Sequence, residues 1–468
     1  MQRWRYPSQI MSFPRALNTI TRFYSSAMPL QGLNGTRLGT AAVDGGRILK
    51  TFFNKNSTTI TFVRNDLPEH KPYTVTFNNL FLRDSSRSPK SVDPESGQKL
   101  FTTGQLARNP MSTTPKLMQI VNDGQSLRID WEDGDSYNYP LDFIYSFKGS
   151  TFFTEAMRKS SSRHKPVLWD SALLRKHEEE LAGTDFESFL NDEHRLYECL
   201  KTLQRFGIVF IKGIPSDDEM AVKRIAQKIG PIRNTFYGET FDVKSDSGTT
   251  SNIAYSNLSL PLHMDLLYME NVPGFQLLHA INNPKEGTGG VNIFVDAFRA
   301  ARHVREHDAL AYEALQHVPI NYQYIKGELR YYQSRPMIEH YDTNEENTLE
   351  GYYENLIKRV SYSPPFQAPF SFGIYEKSSE SNVSASKVGE RFLFKDFADG
   401  LELFEDCIEQ PESRLEVKIP AGTCVLFNNT RVLHARTAYL DDSRWLKGCY
   451  LDADTFMSKL KYLEEKFV

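Results

Sequence analysis

His263-Met264-Asp265, answered far downstream by His434 in Arg431-Val-Leu-His-Ala-Arg436 and then by Arg444, decides how this chain folds. Two histidines and one carboxylate cap one face of an octahedral Fe(II) and leave the opposite face open. His263 and Asp265 stand two residues apart, so on a strand or strand end both side chains point to the same side. A third ligand from a remote strand joins them only if the chain folds back, as a barrel of paired strands does. No cysteine cluster favours zinc or an iron–sulfur centre. The pattern predicts an iron enzyme that uses O2.

An isolated His-x-Asp carries little weight in a chain with 11 histidines, so its flanks matter. Gly274-Phe-Gln-Leu-Leu-His-Ala-Ile281 reads as a buried strand, Glu286-Gly-Thr-Gly-Gly290 as a turn, and Val291-Asn-Ile-Phe-Val-Asp296 as the next strand. Leu415-Glu-Val-Lys-Ile-Pro-Ala-Gly422 reads as a strand entering a Pro/Gly turn, and Thr423-Cys-Val-Leu-Phe-Asn428 as the strand that leads to His434. Arg444 follows within Ser443-Arg-Trp-Leu-Lys-Gly-Cys-Tyr450. A guanidinium there can clamp a distal carboxylate bidentately, as 2-oxoglutarate would supply.

With these motifs the sequence resembles the TauD-type Fe(II)/2-oxoglutarate dioxygenases. Within them it is similar to the γ-butyrobetaine and trimethyllysine dioxygenase branch of carnitine biosynthesis. The resemblance covers residues 165–468 well and the preceding segment more loosely. It implies a mainly β fold with flanking helices (α+β): a double-stranded β-helix, or jelly-roll, catalytic domain plus a small β-rich N-terminal domain. It implies His263, Asp265 and His434 as catalytic iron ligands, and Arg444 on the far carboxylate of 2-oxoglutarate. Asn292 stands where the family places a Thr or Ser against the co-substrate. Arg436 is a second candidate contact, with a structural or surface arginine as the alternative. Fe(II), 2-oxoglutarate, O2 and ascorbate as reductant are the cofactors expected.

The branch holds a trimethylammonium group in an aromatic cage, a cation–π arrangement. By motif, Thr235-Phe-Tyr-Gly-Glu-Thr-Phe241 and Asn252-Ile-Ala-Tyr255 supply Tyr237, Phe241 and Tyr255, Tyr450 joins them, and Asn252 matches a contact to the substrate carboxylate. Two positions depart: Leu266 stands where the γ-butyrobetaine enzyme has an aromatic residue after its Asp ligand, and Ser363 or Pro364 replaces a second Asn. Tyr268 could serve as a substitute wall. The alternative is that these aromatics form barrel core.

Composition sets bounds that agree. At 468 residues the chain accommodates one large domain and a smaller one. A net charge of −4 gives no nucleic-acid signature, and no apolar run is long enough to span a membrane. Cys199, Cys407, Cys424 and Cys449 are scattered without the spacing of a disulfide framework or zinc cluster. Before Asp44 there is no acidic residue, while Arg3, Arg5, Arg15, Arg22 and Arg37 lie among Ser, Thr and apolar residues. Residues 1–40 thus read as a mitochondrial transit segment addressed to the matrix, with a disordered basic tail as the alternative. Met28 offers a second start.

Residues 41–150 read as the small β-rich module, with strands at Ile48–Phe53, Thr58–Val63, Tyr73–Phe77 and Ser126–Trp131. Related dioxygenases carry a zinc site here, with three cysteines after Leu-Arg-Asp and a later histidine. This chain keeps Leu82-Arg83-Asp84 but has Ser86, Ser88 and Ser91 for the cysteines and Asp135 for the histidine. Hydroxyls are poor zinc ligands, so no structural zinc is expected. The module is expected to survive as a packing domain suited to a homodimer.

Lys159–Pro166 reads as a connector. Helices are expected at Asp185–Arg205, Ser216–Ile229, Ala297–His317 and Phe456–Phe467, a strand at Ile208–Ile211, and a surface loop at Lys377–Val388. His303, His307 and His317 then fall on a helix as solvated or packing residues. Three functions follow: a mitochondrial hydroxylase of γ-butyrobetaine or trimethyllysine, the same chemistry on another small carboxylate or amine, or a non-catalytic mitochondrial protein that keeps the fold.

Overall fold

The computed structural model describes residues 46–64, 71–148, 165–215, 218–244, 258–282, 289–340, 357–372, 385–439 and 444–467, the side chains of 385–391 excepted. The transit segment, most of the connector, and Asn252 and Tyr255 lie outside the described residues. The chain divides into two compact units, residues 1–157 and 158–468.

In the first unit, β1 (Arg47–Phe53), β2 (Ser57–Val63) and β3 (Tyr73–Asn78) form one antiparallel sheet. β4 (Pro115–Val121), β5 (Ser126–Trp131) and β6 (Ser136–Pro140) form another. Ile60 and Phe62 from β2, and Leu127, Ile129 and Trp131 from β5, alternate into a shared core because each strand buries one face. A polar cluster is buried with them. Asp135, 1 % exposed, accepts hydrogen bonds from Ser86 Oγ at 2.7 Å, from Ser91 Oγ at 2.9 Å and from Ser88 Oγ. Arg83 donates to Ser91 Oγ at 2.8 Å and pairs with Asp133 at 3.0 Å. The positions expected to have lost zinc ligands thus converge on one carboxylate.

The second unit runs β7 (Ile208–Ile211), β8 (Phe241–Lys244), β9 (Leu260–His263), β10 (Phe275–Asn282) and β11 (Asn292–Asp296). A hairpin of β12 (Pro319–Lys326) and β13 (Leu329–Pro336) follows, then β14 (Ile338–His340) paired with β15 (Ile357–Val360). β16 (Leu415–Val417), β17 (Thr423–Asn428), β18 (Val432–Arg436) and β19 (Trp445–Leu451) come last. Two antiparallel sheets result, in the orders β7-β17-β10-β19-β8 and β16-β11-β18-β9. Their inner faces meet where Phe294 of β11 packs edge-on to Phe427 of β17, with ring centroids 5.5 Å apart.

β10 is buried on both sides, which is why its sequence is an almost unbroken apolar run. Phe275 and Leu277 join helices Glu193–Phe206, Ala221–Ile229 and Ala453–Phe467 in an outer core. Gln276 and Leu278 point the other way. A buried ion pair locks the entry to β18. Arg431 donates to Asp296 Oδ1 at 3.1 Å and Oδ2 at 2.8 Å, and to the carbonyls of Arg205 and Val167.

Several elements differ from the sequence reading. The helix expected over Asp185–Arg205 breaks into Phe186–Asn191 and Glu193–Phe206, because Asp192 caps the second piece by accepting from His194 N and Arg195 N. Asp308 divides Ala297–His317 in the same way, accepting from Leu310 N and Ala311 N, both at 2.9 Å. A carboxylate that satisfies free helical N–H groups outweighs continuity of the apolar stripe. The loop expected at Lys377–Val388 lies partly outside the described residues, and from Ala385 the chain is helical to Glu409.

Candidate active site

His263 ends β9, and His434 sits directly opposite it on β18. A direct cross-strand pair brings two side chains together on one face, and the imidazole centroids are 4.1 Å apart. Asp265 opens the turn after β9 and places Oδ1 3.3 Å from His263 Nε2. One ligand atom from each of the three lies within 4.8 Å of the others, the one such group of three among the described residues.

The surroundings leave these atoms ready for a metal. His263 Nδ1 lies 2.8 Å from the carbonyl of Pro261, and donating to it fixes the tautomer that leaves Nε2 as a donor atom. His434 Nδ1 is buried without a hydrogen-bond partner. Burial, and the neighbouring His263, push the His434 pKa down to about 3, so the imidazole is neutral at physiological pH. Burial opposes ionisation of Asp265, but the His263 hydrogen bond and the two imidazoles outweigh it and hold the carboxyl well below its ordinary range. Two imidazole nitrogens and a carboxylate are a donor set that a divalent iron accepts.

Leu266 follows with φ of 62°, in the left-handed region, while 2 % exposed. A branched side chain held there costs on the order of 1–3 kcal/mol, and such strain persists only where the surroundings over-determine it.

A pocket opens beside the triad. Its lining includes Tyr237, Phe241, Asn292, Arg436, Arg444 and Tyr450 from the sequence reading, together with the triad itself. Arg444 is 3 % exposed, and its Nε and Nη1 make no hydrogen bond among the described residues, while Nη2 reaches Asn292 Oδ1 at 3.4 Å. Burial, reinforced by Arg436, pushes its pKa down to about 10. A desolvated guanidinium with unmet donors fits a carboxylate brought from outside. Arg436 donates to the Leu258 carbonyl at 2.7 Å, and both guanidiniums flank the Tyr439 ring.

Aromatic walls complete the pocket. Phe241 stacks on Tyr450 with centroids 5.1 Å apart, and Tyr268 meets Phe366 edge-on at 5.3 Å. Gly448 permits the Phe241 placement, since a Cβ there would lie 2.4 Å from the Phe241 ring. Tyr450 does more than line the wall: its hydroxyl donates to Asp265 Oδ2 at 2.7 Å. Tyr268 and Tyr450 also belong to the core cluster, so wall and core are the same residues here.

The sequence reading passed over Gln276 and Phe366 as pocket residues. Gln276, whose Oε1 is buried and unmet, had a signal: it is the polar residue on the face of β10 that Leu278 shares.

The family model described as taurine catabolism dioxygenase TauD, TfdA family, matches residues 171–450. The chain is 46 % identical over 467 residues to "Probable oxidoreductase AIM17" of Saccharomyces cerevisiae, covering 96 % of each chain. It is 32 % identical to "Dioxygenase str8" of Strobilurus tenacellus over 82 % of this chain and 84 % of that one. To the mitochondrial trimethyllysine dioxygenase of Gallus gallus it is 27 % identical, over 83 % of each.

Proposed function

This chain belongs to the TauD, TfdA family of dioxygenases, and from that premise we propose that it is a mitochondrial Fe(II)- and 2-oxoglutarate-dependent hydroxylase of a small trimethylammonium substrate, γ-butyrobetaine or trimethyllysine. The observation that carries the reading is Arg444: a buried cation with unmet donors, sharing one pocket with a preassembled His263–Asp265–His434 group. In this reading the sheets β7-β17-β10-β19-β8 and β16-β11-β18-β9 are the two walls of a double-stranded β-helix.

His263, Asp265 and His434 hold the iron, and Arg444 with Asn292 orients the distal carboxylate of 2-oxoglutarate. When bound there, Fe(II) and 2-oxoglutarate would supply the oxidising power that activates O2 for hydroxylation of a C–H bond. The chain's own contribution is positional. Tyr450 steadies the Asp265 carboxylate, and Tyr237, Phe241, Tyr268 and Phe366 keep the pocket dry and offer π faces to a quaternary ammonium. Mitochondrial import is supported by the acid-free, Arg-bearing segment before Asp44 and by the mitochondrial location in the trimethyllysine relative's name.

One observation favours a second reading. Leu266 lines the pocket where the γ-butyrobetaine enzyme has an aromatic residue, which suits the same chemistry on another small carboxylate or amine.

The deciding experiment is succinate release from 2-oxoglutarate with Fe(II), ascorbate and O2, with γ-butyrobetaine and trimethyllysine side by side. A hydroxylated product from one of them is expected, and succinate without product would move the assignment to the second reading. Asp265→Ala should reduce turnover to the chelated background while the far-UV melt stays cooperative. Unimpaired turnover would remove the triad.

A further inference from the structure

Asp265 lies where no sheet hydrogen bond reaches it. β9 ends at His263, and Asp265 begins the turn that follows. Its backbone is held by one side chain. Asn429, 0 % exposed, accepts from Asp265 N–H through Oδ1 at 2.9 Å. Its Nδ2 donates to the Asp265 carbonyl at 3.0 Å and to the Pro273 carbonyl at 3.1 Å. One N–H on one side and two carbonyls on the other leave a single orientation of the amide that satisfies all three. The Asn429 side chain thus gives Asp265 the two hydrogen bonds that a neighbouring strand would give.

Asn429 is itself anchored. It sits in the turn between β17 and β18, and its own N–H donates to the Gly274 carbonyl at 2.9 Å. β18 carries His434. One amide therefore ties the segment bearing Asp265 to the hairpin bearing the third ligand. The left-handed Leu266 comes immediately after the clamped residue, where a strained backbone needs such a restraint. Asn429 is absent from the pocket lining, so it acts on the site through the backbone segments it holds together, that of Asp265 first among them.

We propose that Asn429 is a positioning residue for the metal site: it fixes the Asp265 backbone against β18, so that the three ligands converge before metal binds. The role rests on the reading of His263, Asp265 and His434 as metal ligands.

The test is Co(II) titration of the metal-free full chain, followed by the d–d absorption of the bound ion, with thermal melts of the same metal-free proteins. Asn429→Asp keeps the acceptor for Asp265 N–H but sets a carboxylate oxygen against two carbonyls. Asn429→Ser keeps polarity and loses reach, and covers the case in which the first variant does not fold. Co(II) affinity should fall by about 10–100-fold in the variants, the usual cost of losing an outer partner of a metal ligand. The d–d band should change, and the melts should stay cooperative. Wild-type affinity and an unchanged band in folded variants would overturn the role and leave the metal reading intact. A wild type that binds no Co(II) would overturn the metal reading and this role with it. Loss of the cooperative melt in both variants would make Asn429 a fold determinant and overturn the positioning role.

Discussion

Two of the buried polar clusters, one in each unit, are finished differently. Around Asp135, three serine hydroxyls and Arg83 close on one another, and none of their side-chain atoms is left buried without a partner. Around the triad, Gln276 Oε1, His434 Nδ1 and Arg444 Nε and Nη1 are equally buried and meet no hydrogen-bond partner among the described residues. An unmet buried donor or acceptor costs about 1–3 kcal/mol. A chain that closes one cluster completely and leaves the other open is spending stability on the second, and a ligand is what makes that expenditure reasonable.

Breaking the open cluster should give the larger effect. Arg444→Leu removes the charged end of the proposed 2-oxoglutarate contact. Losing one partner of a buried charge pair costs about 2–5 kcal/mol, roughly 30-fold to several thousand-fold in affinity. The KM for 2-oxoglutarate should rise accordingly in steady-state assays. The melting temperature should not fall, because the change removes a desolvated cation with unmet donors. A lower melting temperature with unchanged KM would place Arg444 among the structural residues and dissolve the contrast.

Breaking the closed cluster should do the reverse. Asp135→Ala strands three serine hydroxyls without their common acceptor and removes the carboxylate 3.7 Å from Arg83, a loss of about 3–5 kcal/mol by analogy with broken buried pairs. Denaturant unfolding of the first unit should record it, while the KM for 2-oxoglutarate stays at its wild-type value. Chelator should abolish turnover and leave this unfolding transition where it was. A chelator-sensitive transition would mean that the serine–aspartate cluster does not stand on its own.

Much of this contrast was legible in the sequence, and the rest was not, for physical reasons. His263, Asp265 and His434 stood out because ligand chemistry restricts residue type, and the apolar run of β10 because burial on both faces leaves no alternation. Asn429 did not stand out. An asparagine in a turn looks the same whether its amide faces water or clamps a residue far back in the chain, and only the pairing of β18 with β9 reveals which. Tyr450 was read as a cage wall, and its hydrogen bond to Asp265 depends on strand order, which no local pattern encodes. The helix breaks at Asp192 and Asp308 had a local signal, a capping carboxylate, that a count of apolar spacing overrides.

His279 sharpens the comparison because it is open and yet outside the pocket. Both ring nitrogens are buried and unmet, and it lies on the face of β10 opposite Gln276 and Leu278, beside Phe275 and Leu277. Burial depresses its pKa from 6.5 to about 4. As pH falls, the unfolded chain takes up this proton first. The stability contribution is therefore intact above the unfolded value of 6.5, declines as pH falls, and is gone below about 4. The shift corresponds to at most about 3 kcal/mol across that window. His279→Leu should flatten the unfolding free energy by that amount between pH 6.5 and 4 and leave turnover at neutral pH unchanged. If the slope vanishes and turnover holds, unmet atoms identify a site only on the face that opens to a pocket. If turnover falls as well, β10 transmits its outer face to its inner one, and the division between closed and open clusters would have to include that strand as a whole.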